Sequence, residues 1–367
     1  DANKNTFHAS VTEDATGAVY SIAPNANGEM IVTTRYQEDY PPELDPDEDF
    51  DPNERALLLA DFQEPDTFKS HHRAVQEASI FDVLVPWTAA AECRNSNLPR
   101  GCTLTSMTES NIRGLIDLAV QETNVAYSLS GVNVVLNLAH AYRTNYVEGS
   151  TREAYSTALN DLTFDGNVAT KRAEFGADVV ALIIGAPGSC GRAHLGPRKE
   201  RMFSVTSQNC ATGYYSFGHE IGHNLGCNHD KGTKGQCGTT NYNYGYRDST
   251  AGFRSILAYG CKDGECDTGS GRCVRVQRFS NNEFNYPDST GEPIGTATID
   301  NARQINDVRV EVAAYFDIPS LPPTTGPTSS PTTLTAIPTT SPTKQPTSSP
   351  INPTNAPTTT SSPTATA

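Results

Sequence analysis

The sequence has no cysteine before Cys93, no C-x-x-C pair, no N-x-S/T acceptor and no run of eighteen apolar residues. Each absence removes a class of explanation. Without a long apolar run, no transmembrane helix is expected. Without C-x-x-C, the chain lacks the usual pattern of a thiolate zinc site or a dithiol redox pair. Without a sequon, N-glycosylation gives no support for secretion. Positive charge is also scarce, with 27 Lys and Arg against 42 Asp and Glu and a net charge of −15. A phosphate backbone requires a basic footprint, so nucleic acid is not an expected partner. The chain opens at Asp1 without a charged start and apolar core, so any secretion signal is expected to lie outside this numbering. The methionines are three, Met30, Met107 and Met202.

What is present divides the chain. Residues 16–36, AVYSIAP and MIVTTRY around an Asn-Gly turn, read as a hairpin. From Glu38 to Asp66, twelve acidic residues face one basic residue, Arg55. Such a run reads as a solvated linker or loosely ordered segment. Residues 319–367 are almost wholly Pro, Thr and Ser, with Lys344 their only charge. That composition cannot bury a core, so it reads as a disordered extracellular stalk, with room for a further module beyond it. All nine cysteines lie between 93 and 273. Their confinement to one region suggests disulfides formed in an oxidising compartment. Cys93–Cys102 is an expected pair, and the odd count leaves one thiol free or paired outside the chain.

The middle region alternates. FDVLVPWTAAA at 81–91 reads as a buried strand, and residues 109–128 carry Ile112, Leu115, Ile116, Ala119 and Val120 at helical intervals. A strand at 132–146, a helix near 151–161 and a central strand at 177–185 follow. This order predicts an α/β (α+β) architecture built on a mostly parallel twisted sheet with helices packed on it.

The chemistry concentrates in GHEIGHNLGCNHD, residues 218–230. If residues 215–225 are helical, His219 and His223 project from one face a turn apart, with Glu220 beside them. His229 lies too far on to share that face. Gly226 can adopt a left-handed conformation, end the helix and return His229 toward the pair. Three imidazoles with one open position describe a catalytic zinc site, since a structural site is closed by a fourth protein ligand. Chance occurrence of the full HExxHxxGxxH string in such a chain is on the order of one in a hundred thousand.

HEIGHNLGCNHD resembles the long zinc signature of the metzincin endopeptidases. Asp230, directly after the third histidine, resembles the reprolysin (adamalysin/ADAM-like) branch. The similarity extends over about 78–318 through CGRAHLG at 190–196, FRSILAYGC at 253–261, FSN at 279–281 and NARQIN at 301–306, before a VEVAAYF helix. It implies a propeptide-like segment with an acidic linker at 1–77, a catalytic domain at 78–318 with a smaller C-terminal subdomain, and the stalk after it. It also implies one catalytic Zn2+ held by His219, His223 and His229. Zinc lowers the pKa of a coordinated water to about 7. Glu220 would take that water's proton and deliver it to the leaving amine. Cys190–Cys210 resembles a bridge in related sequences. With no cysteine before Cys93, a thiolate switch over the metal is unavailable in 1–77, so latency would need steric blockage or residues upstream.

Other roles follow from the same resemblance. Gly191, Arg192, Ala193 and His194 would form an antiparallel edge strand that takes an extended substrate by main-chain hydrogen bonds, with His194 a rim residue. Asp230 would orient the zinc-binding segment. The turn beneath the metal normally carries methionine, and Leu257 stands there instead, a near-isovolumetric change. Tyr259 would either pack beneath the site or bring its hydroxyl to the oxyanion of the reaction. The expected function is a secreted or surface-associated zinc endopeptidase acting on proteins or peptides. The alternatives are a catalytically silent adhesion or matrix module retaining zinc, and a zinc enzyme acting on a small molecule.

Overall fold

The computed structural model describes residues 7–46, 77–266, 269, 271–287 and 291–316. The chain divides into residues 1–319 and 320–367, and every described residue belongs to the first unit. The stalk reading and the acidic run beyond Pro46 fall outside the described residues.

Three antiparallel strands come first, β1 (Ala9–Glu13), β2 (Ala18–Pro24) and β3 (Met30–Tyr36). The hairpin expected at 16–36 is therefore the second half of a three-stranded sheet. Residues 9–13 add to it in register, Ala9 opposite Ile22 and Glu13 opposite Ala18. Thr12 Oγ1 donates to the Gly213 carbonyl at 3.0 Å, and Tyr215 donates to Thr12 at 3.1 Å. The small sheet thus rests against the turn that precedes the HExxH segment.

The main sheet comprises β4 (Ser79–Trp87), β5 (Val134–Arg143), β6 (Val179–Ile184), β7 (Gly191–Ala193) and β8 (Phe203–Ser207) in the order β5-β4-β6-β8-β7. Four strands are parallel, and β7 runs antiparallel on β8 at the edge. Successive strand residues face opposite sides, so the alternation splits the apolar residues between two cores. Phe81, Val83, Val85, Trp87, Val179, Ala181 and Ile183 face one core, together with Ile112, Ile116 and Ala119 of the helix α2 (Ser106–Leu129). Leu84, Val180, Leu182, Ile184 and Val205 face the other, with Tyr155, Leu159 and Leu162 of α3 (Ala154–Phe164) and Val168 of α4 (Gly166–Glu174). Burial on both faces explains why β6 is an unbroken apolar run.

The first predicted strand extends too far. It ends at Trp87, and a short helix α1 (Ala89–Asn95) follows. Thr88 caps that helix by accepting from Ala91 N at 3.0 Å and donates its hydroxyl to Glu148. Glu148 also accepts from Gly185 N at 2.8 Å and pairs with Arg100 at 3.2 Å. A threonine inside an apolar-looking run is thus the stop signal.

Four disulfides join Cys93–Cys102, Cys190–Cys210, Cys237–Cys266 and Cys261–Cys273, and Cys227 is free and buried. Among the described residues, no helix is long and apolar enough to cross a membrane. Thr88→Val should lower stability by about 1–3 kcal/mol, because it removes a cap and leaves Glu148 short of a donor. Denaturant unfolding measures the loss, and a change under about 0.5 kcal/mol would mean that Thr88 contributes only volume.

Candidate metal centre

The helix α5 (Ser216–Asn224) carries HExxH and is buried along its whole length. Its face toward the sheet packs on β8, and Gly222 leaves space beneath it. A Cβ on Gly222 would come within 3.0 Å of Leu257 and 3.2 Å of Phe279. Leu257 is fully buried and fills that space directly under the helix. The C-terminus of α5 closes with Gly226 N bonded to His223 O at 2.9 Å and Cys227 N to Gly222 O at 3.0 Å. This pair of bonds is the Schellman turn, which requires a left-handed residue. Gly226 supplies it with φ +87°, and a Cβ there would also sit 2.7 Å from Gln304. The chain then re-enters as β9 (Asn228–Asp230), which carries His229 back.

The three histidines meet. Nε2 of His219 lies 3.1 Å from Nε2 of His223 and 3.2 Å from that of His229, and the last pair is 2.9 Å apart. Nitrogens about 2.0–2.1 Å from a tetrahedral zinc stand about 3.3 Å from one another, so the spacing is close to a ligand set. The outer nitrogens fix two of the rings. Nδ1 of His219 faces Ile256 O at 2.8 Å, and Nδ1 of His223 faces Cys227 O at 2.7 Å. A carbonyl can only accept, so these Nδ1 atoms carry protons and the Nε2 lone pairs of His219 and His223 point inward. Burial keeps all three rings neutral. It lowers His223 to about 4 and His219 and His229 well below the ordinary value. Convergent neutral nitrogens suit a metal cation.

Glu220 is fully buried, and neither carboxylate oxygen has a hydrogen-bond partner among the described residues. It lies against Gly191, where a Cβ would stand 2.3 Å from Oε1. Burial first, and then the Glu43 carboxylate, push its pKa well above the usual carboxylate range. Asp230 binds two loops. Its Oδ1 accepts Thr233 N at 2.8 Å and pairs with Arg247 at 2.8 Å, while Oδ2 accepts Tyr259 N at 2.9 Å. Tyr259 packs its ring 4.1 Å from that of His229.

The edge-strand residues divide. Gly191, Arg192 and Ala193 form β7, whereas His194 lies beyond it. The rim placement of His194 is incorrect. Its ring is buried, 2.8 Å from Thr163 on α3, and its carbonyl accepts Asn224 Nδ2 at 2.9 Å. Arg192 likewise turns to Ser156 on α3.

The outer edge of β7 is covered by the chain's own N-terminal segment. Pro42 O accepts Cys190 N at 3.2 Å, and Leu44 N donates to Gly191 O at 2.9 Å. The hydroxyl of Tyr259 donates to Glu43 O at 2.9 Å. The Glu43 carboxylate is clasped by Arg275, at 2.6 and 3.1 Å, and by Ser216 at 2.8 Å. Burial alone would raise Glu43, but Arg275 outweighs it and holds the carboxyl well below its ordinary pKa. Asp45 meets Lys234 Nζ with both oxygens at 2.8 Å. Residues 37–46 are therefore not a solvated linker, and Gln37, Tyr40, Glu43 and Leu44 are all buried. Sequence reasoning passed over Glu43 and Arg275. The one available signal was that Glu43 and Asp45, on alternate residues after Pro41 and Pro42, suit an extended segment.

Residues 101–270 match the family model of metallo-peptidase family M12 (Reprolysin_5). This stretch resembles a metallopeptidase domain. The chain is similar to peptidyl-Asp metalloendopeptidases of Stenotrophomonas maltophilia strain K279a, 35% identical over 215 residues, and of Xanthomonas campestris pv. campestris, 34% identical over 212 residues. Each match covers 56% of this chain, and the chain spans 48% and 47% of those relatives' lengths.

Gly226→Ala should cost at least about 1 kcal/mol from the left-handed backbone alone. Because His229 follows that turn, metal retained after dialysis should fall with it. Thermal unfolding and metal content read the two effects, and unchanged values in both would remove the glycine from this role.

Proposed function

We propose that residues 78–318 form a zinc endopeptidase of the reprolysin branch and that residues 1–77 act as its propeptide-like segment. The observation that carries this reading is the convergence of three neutral imidazole nitrogens beside a buried carboxylate with no hydrogen-bond partner among the described residues. His219, His223 and His229 would hold the ion, which when bound supplies a polarised water and a Lewis acid for the scissile carbonyl. Glu220 would take the proton of the attacking water on a carboxylate oxygen and return it to the departing amine nitrogen. Asp230 keeps the His229 segment and the Tyr259 loop in one arrangement. Gly191 leaves the space in which Glu220 stands, and the edge of β7 offers main-chain groups to an extended peptide.

The relatives' name directs attention to bonds beside aspartate in protein substrates. Four disulfides support an oxidising, extracellular setting. The contacts of residues 42–45 support the propeptide reading. They run in the same sense along both strands, 42 with 190 and 44 with 191. A metzincin-like substrate would run the opposite way, so the segment fills the cleft without presenting a bond in the productive direction.

In the zinc-loaded chain, Glu220→Gln should retain the metal while hydrolysis of a denatured protein falls at least about a hundredfold. Wild-type rates in that variant would remove Glu220 as the base. Loosening the segment with Glu43→Gln and Asp45→Asn together should raise peptide hydrolysis several-fold. An unchanged or lower rate would argue against a blocking role for the segment.

A further inference from the structure

Arg275 is a wholly buried cation, and its ion-pair partner Glu43 belongs to the N-terminal segment. A buried guanidinium without a carboxylate is strongly unfavourable, so a ligand that covers Arg275 in place of the segment has to supply an anion. We propose that Arg275 and Ser216 form a subsite for an acidic side chain of the substrate, aspartate or glutamate, beside the bond to be cut, and that Glu43 occupies this subsite in the described chain. The inference rests on the endopeptidase reading and adds to it the residues that select the substrate.

The location comes from what surrounds residue 43. Ser216 opens α5, three residues before His219, and its hydroxyl donates to Glu43 Oε1. The Glu43 carbonyl meets Tyr259, whose ring lies on His229. The next amide, Leu44 N, bonds Gly191, the residue against which Glu220 stands. A peptide residue in this place is bracketed by the base, the third histidine and the edge strand. Side chains of an extended segment alternate between faces whichever way it runs, so a peptide of opposite sense can place a side chain in the same pocket.

The pocket's chemistry selects a carboxylate. The guanidinium presents two parallel N–H donors, a fork that matches both oxygens of Glu43. It is held in that attitude from behind, with Nη1 donating to Tyr214 O at 3.1 Å and the Tyr214 ring 4.2 Å from Cζ. An amide in this pocket would turn an N–H toward a donor, and a lysine would add a second cation. The Lys234–Asp45 pair is a different kind of contact. Its side chains keep 13% and 14% exposure, and its cation is a flexible point charge that suits tethering more than selection.

The test measures binding in the full, zinc-loaded chain carrying Glu220→Gln, so that nothing is consumed, and Glu43→Gln, so that the pocket is open. Fluorescein-labelled peptides identical except for a central Asp, Glu, Asn or Lys are titrated by anisotropy. The acidic peptides should bind at least about tenfold more tightly, the scale of charge-assisted hydrogen bonds. Adding Arg275→Gln should bring the four within about twofold of one another with zinc content unchanged. Arg275→Lys, which keeps charge but not the fork, serves if the glutamine variant does not fold, and should reduce the preference several-fold. Lys234→Gln should leave the preference in place. Equal binding of all four peptides to the opened chain would overturn the proposal, as would a preference that survives both Arg275 variants. If acidic peptides are preferred but the chain with Glu220 intact cleaves none of them, the subsite stands and the endopeptidase reading fails.

Discussion

Three imidazole lone pairs directed at one small volume, with water excluded around them, form the constraint on which the rest of the site depends. Left to themselves, three neutral acceptors at 2.9–3.2 Å cannot satisfy one another. They are kept in place by other parts of the fold. The Ile256 and Cys227 carbonyls orient two of the rings, and the Schellman turn at Gly226 returns the third. Asp230 then joins the His229 segment to Arg247 and Tyr259. The helix carrying two of the three rests on a parallel sheet whose central strand is buried on both faces. The rigidity of an α/β core is thereby passed to a cluster that would otherwise relax apart.

Much of this was legible in the sequence because it is local. Helical spacing puts His219 and His223 on one face, and a glycine at the helix end permits the reversal. Apolar runs that alternate with segments of helical spacing yield the sheet, and its antiparallel edge strand followed from resemblance to a family. Where local reading failed, the deciding contact lay far away. Glu43 looked like one charge in an acidic run, and its partner Arg275 is 232 residues distant. Asp45 and Lys234 are 189 residues apart. Composition treats a carboxylate as solvated unless something nearby argues otherwise, and nothing nearby did. His194 failed for a related reason: the motif placed it on the edge strand, but its ring follows the local turn to Thr163 on α3. Thr88 failed differently, because a hydroxyl capping a helix is one small residue inside an apolar run.

The pairing of Glu43 with Arg275 also bears on how tightly the segment is held. Removing both charges from water costs nearly as much as their attraction returns, so a buried pair is a poor source of affinity and a good source of discrimination. A segment that belongs to the same chain does not need high intrinsic affinity, because covalent attachment gives it an effective concentration that can reach about the millimolar range. A free peptide has no such advantage and must bring the complementary charge together with main-chain bonds to β7. The same guanidinium therefore serves two ends. It registers the chain's own segment by a carboxylate at one position, and in the proposed subsite any competitor that lacks a carboxylate would leave a buried cation unpaired.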